Sequence, residues 1–273
     1  MSQPILVTGG SGILGRGVVG RLLAAGHEVR VLSRRPRPAS APAHVGWVTG
    51  DLLGSDGLVQ AVAGVGVIVH CAGDPLRPRV DVDGTRNLLG AARAAGTPHL
   101  VYISIVGVDR VPYRYYRAKL EAERLIQGSG LPWTILRATQ FHQLVLLVAR
   151  GLARLPVVPV PAATSFQPID ADEVADRLAG LAAGPPAGRV ADLGGPQIRP
   201  AAELLRAYLD AAGRRRPVLP VRLPGSVFAG YRRGGHLAPD RAVGRRTWEE
   251  FLAEQVGRPE RSGADRTTAE GGT

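Results

Sequence analysis

One stretch constrains this chain more than any other: "TGGSGILG", residues 8–15, set between the apolar run "ILVT" (5–8) and an amphipathic segment ending at Gly26. An apolar run, a glycine-rich turn and a helix in that order open a βαβ unit. In such a turn Gly9 permits the sharp reversal, Gly12 lets a pyrophosphate approach the backbone, and Gly15 lets helix and strand pack closely. The N-terminus of the following helix presents free N–H groups and a positive partial charge to phosphates. Thr8, Gly9, Ser11, Gly12, Ile13, Leu14 and Gly15 are therefore expected to cradle a dinucleotide.

The remaining pattern agrees with that start. Short apolar runs alternate with longer amphipathic ones: "EVRVLS", "VGWVTGD", "GVIVHCAG", "HLVYIS" and "WTILRA" read as five further strands. Helices are expected over "DVDGTRNLLGAARAAG" and "YYRAKLEAERLIQGSG", both with apolar residues at helical spacing. The expected fold is α/β, a Rossmann-type doubly wound parallel sheet with a small C-terminal substrate-side lobe. Its boundaries are read as a core over residues 1–145, a substrate-side region over 146–256 and a disordered tail over 257–273. "ARLPVVPVPAATS" is too rich in proline for a central strand or a helix. "DADEVADRLAGLAAG", "PAAELLRAYLDAAG" and "TWEEFLAEQ" read as helices, the last with Thr247 as its cap, and "GRVADLGG" as a short strand.

Charge and composition narrow the function. The net charge is +11, but the arginines are spread along the chain, aromatics are only 5%, and no zinc-finger or ribonucleoprotein pattern accompanies them. An arginine-rich solvated surface is the reading, with no nucleic-acid partner expected. The single cysteine, Cys71, excludes a disulfide framework. The six histidines show no metal-ligand spacing, so no metal is expected. No apolar run approaches the ~20 residues of a membrane span. A strand already begins near residue 4, so a soluble, cytoplasmic protein is expected, with no membrane partner. Oligomeric state is not legible.

The second strand ends in "LSRRP", which puts Ser33, Arg34 and Arg35 where a carboxylate would hold an NAD ribose. A guanidinium grips a 2′-phosphate that a carboxylate would repel, so NADP is expected ahead of NAD. Asp51 and Leu52 follow the third strand, and Cys71, Ala72 and Gly73 end the fourth, where small residues let a cofactor lie close. Cys71 reads as a small buried hydrophobe.

Taken together, "TGGSGILG", "GDL", "VIVHCAG", "DVDGTRNLL", "VYISIVG", "YYRAK" and "GLPWTILRATQF" resemble the short-chain dehydrogenase/reductase superfamily, in its extended and atypical branches. "FQPIDADEVA" and "DLGGP" are similar to the substrate-side half of its NmrA-like, NAD(P)H-binding group. The resemblance implies an NAD(P)H-dependent oxidoreductase acting on a small carbonyl, hydroxyl or quinone compound. Tyr115 and Lys119 match the superfamily's Tyr-x-x-x-Lys pair, and Ser104 is the hydroxyl that the preceding strand offers. The chain's only lysine thus falls one helical turn from Tyr115, where its charge favours the phenolate. Lys119 would also reach the nicotinamide ribose. Two positions depart from the branch: Ile105 follows Ser104 where a second hydroxyl is common, and Asp81 stands where Asn is common. Gln140, Phe141 and His142 follow the sixth strand and are expected to face the substrate. The alternatives are a non-enzymatic, NmrA-like dinucleotide sensor and, less favoured, a sugar-nucleotide epimerase.

Overall fold

The computed structural model describes residues 3–39, 41–54 and 57–256. The expected disordered tail, 257–273, lies outside the described residues. The first half alternates as its hydrophobic pattern requires: β1 (Ile5–Thr8), α1 (Ile13–Ala24), β2 (Val29–Ser33), β3 (Gly46–Thr49), α2 (Leu58–Val62), β4 (Val67–His70), α3 (Arg79–Ala94), β5 (His99–Ile105), α4 (Arg114–Gln127) and β6 (Trp133–Ala138). The second half contains α5 (His142–Leu152), β7 (Val158–Pro161), β8 (Ser165–Phe166), α6 (Ala171–Ala183), β9 (Gly188–Arg189), β10 (Arg199–Pro200), α7 (Ala201–Ala211), β11 (Val218–Val221), α8 (Ser226–Arg232) and α9 (Trp248–Val256).

Seven strands form one sheet in the order β3-β2-β1-β4-β5-β6-β9. Every pairing in it is parallel. Parallel strands need crossovers that cover both faces. One face packs Val7, Val31, Val101 and Leu136 against Val18 of α1 and Leu178 of α6. The other packs Leu6, Ile68, Leu100 and Ile135 against Leu88 of α3 and Ile126 of α4. The expected six strands are present, and the short strand read in "GRVADLGG" supplies the seventh. The strand order reverses between β1 and β4, and ligands bind at the carboxyl ends beside such a reversal.

α5 and α8 were not legible, and neither was α2, which has only five residues. The proline-rich stretch forms β7, which pairs in parallel with β11 in a two-stranded ribbon outside the main sheet. Only such an edge position tolerates prolines that cannot donate to a ladder.

Two polar arrangements fix elements that matter to the site. Arg137 on β6 is buried and donates to both carboxylate oxygens of Glu123 on α4, at 2.8 and 2.6 Å. It also donates to Asp109 at 2.8 Å, so α4 is pinned to the strand that follows it. At the start of α9, the Glu250 N–H donates to Thr247 Oγ1 at 3.3 Å while the Thr247 N–H donates to Glu250 Oε2 at 2.8 Å. This reciprocal capping box satisfies two donors the helix start would leave open. Thr247→Ala is expected to cost about 1 kcal/mol of stability, read by chemical denaturation.

Candidate functional site

The cleft begins at the glycine loop. Gly9 has φ +68°, a left-handed value, and a Cβ placed on it would lie 2.8 Å from the Ala72 backbone nitrogen. A Cβ on Gly15 would collide with the Gly9 backbone, so the first turn of α1 folds directly onto the loop. Gly12 caps α1, no acidic residue occupies its first turn, and its own N–H donates to Gly9 O at 2.9 Å. The helix therefore keeps its positive end open toward the cleft. That cleft, about 230 Å³, is walled by the loop, the end of β2, Asp51 and Leu52 after β3, and Cys71, Ala72 and Gly73 after β4.

Its floor is held by a buried polar chain. Thr8 Oγ1 lies 2.6 Å from His70 Nδ1, and His70 Nε2 lies 3.0 Å from Thr85 Oγ1 on α3. Thr85 donates onward to the Asp81 carbonyl at 2.5 Å. Burial, with the nearby Lys119 charge, pushes the His70 pKa down to about 3, so a neutral ring bridges the two hydroxyls. Burial pushes the Cys71 thiol up to about 12, which makes it a poor source of thiolate.

The two arginines after β2 part company. Ser33 is buried and its Oγ accepts the Arg35 N–H at 3.1 Å, which tightens the turn between them. Arg34 lines the cleft. Arg35 instead lines a separate apolar depression with Val19, Val31 and Trp47, and its carbonyl accepts the Trp47 Nε1–H at 3.0 Å. Leu14 belongs to the core on the α1 face, and Ile13 is exposed. The structure does not bring these three side chains to the cleft wall.

At the other end lies the densest group of chemistry. Lys119 is buried on α4, and its Nζ lies 3.1 Å from Asp81 Oδ1 and donates to the Ile103 carbonyl at 3.2 Å. The ammonium also sits 4.6 Å above the Tyr102 ring and 5.9 Å from the Tyr115 ring. Gly73 is the point on which they converge. A Cβ there would lie 2.8 Å from Asp81 Oδ1, 3.0 Å from the Tyr115 hydroxyl and 3.3 Å from Lys119 Nζ. Asp81 has no exposure, and its Oδ2 accepts the Asp74 N–H at 3.1 Å. Burial raises the Tyr115 phenol above its ordinary pKa, Lys119 pulls it down, and Asp81 pushes it up again. Burial also opposes the Lys119 charge, but Tyr102, Tyr115 and Asp81 outweigh it, holding the amine well above its usual range. The group is thus poised with a neutral phenol beside a charged ammonium.

Ser104 is buried on β5, two residues from Tyr102 and so on the same face of the sheet. Its Oγ has no hydrogen-bond partner among the described residues. A buried hydroxyl without a partner is costly by about 1–3 kcal/mol. The neighbouring tyrosines are sorted by packing. Tyr116 is buried edge-on against Tyr231, and Tyr113 is exposed at the helix cap.

The residues after β6 are not all where the sequence reading put them. Gln140 ties the lobe together, donating to His236 O at 3.3 Å and accepting the Gln167 N–H at 3.4 Å. Phe141 packs against the core on the α1 face of the sheet. His142 points into the lobe, stacked on Phe251 at 5.0 Å and Trp248 at 5.7 Å, with Nε2 3.1 Å from Arg246 O. Its burial lowers its pKa, so it stays a neutral packing residue rather than a substrate-facing one. α5 begins at residue 142, and the buried side of its first turn is the lobe side. Two residues of this candidate site were missed. Tyr102 read only as part of a strand, and Asp81 read as a departure, not as the partner of the lysine.

A parallel sheet with an open glycine loop at its order reversal defines a dinucleotide-binding Rossmann domain. Residues 9–144 match the family model described as NAD(P)H-binding. The chain is 37% identical over 157 residues to a (4-alkanoyl-5-oxo-2,5-dihydrofuran-3-yl)methyl phosphate reductase of Streptomyces griseus, covering 56% of this chain and 54% of that protein. It is 34% identical over 176 residues to an uncharacterised Mycobacterium tuberculosis protein, covering 64% of this chain and 19% of the other. The chain therefore spans about a fifth to about half the length of these curated relatives. In fold it is similar to an NADPH-dependent quinone oxidoreductase of Escherichia coli in complex with NADPH, with a TM-score of 0.79 at 20% identity. That match covers 92% of this chain and 99% of the other. The resemblance to extended, NmrA-like reductases drawn from the motifs is thus borne out in fold and in the nicotinamide-dinucleotide domain. Among the described residues no helix is long and apolar enough to cross a membrane, and no group of three or more potential ligands could hold a metal ion.

The donor set fits an NAD(P) molecule. Its pyrophosphate would lie against the loop backbone from Gly9 to Gly12, where Ser11 is the one side chain among glycines and the first turn of α1 carries no carboxylate. Its nicotinamide end would lie toward Gly73, where Tyr115 and Lys119 converge.

Proposed function

We propose that this protein is an NADPH-dependent oxidoreductase that reduces a small carbonyl or quinone compound. The convergence of Tyr115, Lys119 and Asp81 on Gly73 in the cleft wall carries this reading. When bound, the cofactor supplies a hydride to the substrate carbon. Tyr115, held neutral by burial, donates its phenolic proton to the oxygen on which negative charge develops. Lys119 stabilises the phenolate left behind, and Asp81 holds Lys119 in place at 3.1 Å. Ser104 donates its unpartnered hydroxyl to the same substrate oxygen. Relatives of this chain include a named reductase, and a 3-beta-hydroxysteroid dehydrogenase of Mycolicibacterium neoaurum is 33% identical over 157 residues.

Arg34 supports NADP over NAD, because it is the cation that the β2 turn leaves in the cleft. Charge-assisted hydrogen bonds are worth about 1.5–3 kcal/mol, so Arg34→Ala should weaken NADPH binding by at least about tenfold and leave NADH binding nearly unchanged. Isothermal titration with both cofactors reads this directly. The function itself is tested by following NADPH oxidation against a panel of quinones and carbonyl compounds. Turnover on at least one class is expected. NADPH binding without consumption across the panel would favour the dinucleotide-sensor reading instead.

A further inference from the structure

We infer that the substrate-side lobe carries a face that lies on anionic lipid bilayers. The inner side of α5 packs Leu146, Ala149 and Ala153 into the lobe core. Its outer side leaves Leu147 68%, Val148 52% and Leu144 51% exposed, one helical stripe with no cover among the described residues. The stripe continues past the helix end through Leu155 and Val157, and onto Leu219 of the ribbon, which is 53% exposed. In the β7–β11 pairing Leu219 lies opposite Pro159, so the two segments present their apolar groups side by side.

The two chain segments that carry this stripe have charge of one sign. Residues 139–169 contain two arginines and no Asp or Glu, and residues 211–239 contain six arginines and no Asp or Glu. The exposed run Arg214–Arg216 is brought to the end of α5, where Arg214 Nη1 donates to Ala153 O at 3.4 Å. Pro217, next in the chain, accepts the Val158 N–H at 2.9 Å, which sets Arg216 beside the exposed Val157. Arg150 is exposed on α5, and Arg154 is exposed in the turn that follows it. Asp210 is the single carboxylate lining the depression with these arginines, against Arg206, Arg214, Arg215 and Arg216.

Aliphatic groups rimmed by arginines match the two layers of a bilayer surface, acyl boundary and anionic headgroups. At 11 residues α5 is too short to span, so it would lie in the interface plane. Other occupants fit worse. A second copy would set the same patch against itself and bring its arginines together, a like-charge juxtaposition. Single-stranded nucleic acid would need stacking aromatics where the stripe offers leucine and valine. This inference does not rest on the oxidoreductase reading, since it needs neither cofactor nor turnover.

The test is co-sedimentation of the full chain with vesicles of phosphatidylcholine alone and of phosphatidylcholine mixed with phosphatidylglycerol. Binding to the mixed vesicles only, weakened by salt, is expected. Leu147→Glu should reduce that binding by at least about tenfold. Arg216→Ala should reduce it roughly fivefold, the effect of one arginine near an anionic surface. Thermal midpoints of both variants should stay at the wild-type value, since both side chains are exposed. Absence of wild-type binding, equal binding to both vesicle types, or wild-type binding by Leu147→Glu would each overturn the inference. So would a concentration-dependent dimer that Leu147→Glu abolishes, which would make the face a contact between copies.

Discussion

Tyr115→Phe is expected to lower the turnover of NADPH-dependent reduction by about 10²–10⁴-fold, the usual worth of a positioned general acid. The argument is local. The hydroxyl approaches Gly73, and Lys119 Nζ from the same helix and Asp81 Oδ1 from α3 converge on the same point. The ring is partly buried, and phenylalanine keeps the ring and its packing against Val108 and Val111. The substitution therefore removes one proton donor and little else. NADPH affinity, measured by titration calorimetry, should stay within about twofold, because the proposed cofactor contacts are the glycine loop and Arg34. Loss of both binding and turnover would point to a packing role for Tyr115. Preserved turnover would remove it from the chemistry.

The second large effect is on stability. Lys119→Met should destabilise the fold by about 3–5 kcal/mol, because it leaves the Asp81 carboxylate buried with no opposite charge. Asp81 has no exposed surface, and after the substitution only the Asp74 N–H would remain hydrogen-bonded to its carboxylate. Replacing both members, Asp81→Asn with Lys119→Met, should recover most of that loss, since removing a buried pair together is often nearly neutral. Chemical denaturation of the two single variants and the double variant measures the coupling. An additive double variant would mean that the 3.1 Å contact contributes nothing to folding.

The sheet was legible because both of its signals are local. Continuous apolar runs such as "ILVT" and helical spacing such as "DVDGTRNLLGAARAAG" are written in neighbouring residues, and these two appear as β1 and α3 within two residues of the runs. The glycine loop was legible for the same reason. What failed depended on direction. "LSRRP" shows two arginines at a strand end, but that Arg34 lines the cleft while Arg35 lines the depression with Trp47 is a tertiary fact. His142 follows β6, where substrate-facing residues are expected, but α5 starts there and its packing decides which way the ring points. Asp81 was visible as an anomaly at a known place. Its meaning needed the crossing of α3 and α4, which brings it to the only lysine in the chain. Tyr102 has no sequence signal beyond its place in a strand, and only the fold puts an ammonium over its ring.

The central claim is that the Tyr115 phenol, balanced between Lys119 and Asp81, is the acid. Its most direct test is the pH dependence of kcat for reduction in wild type and Asp81→Asn. Reduction needs the protonated phenol, so activity is full below the phenol pKa and is lost as pH rises through it. Asp81 pushes that pKa up and Lys119 pulls it down. Removing the carboxylate charge leaves Lys119 unopposed, so the alkaline limb of the profile should move toward lower pH in Asp81→Asn. An alkaline limb at the same pH in both proteins would contradict the claim.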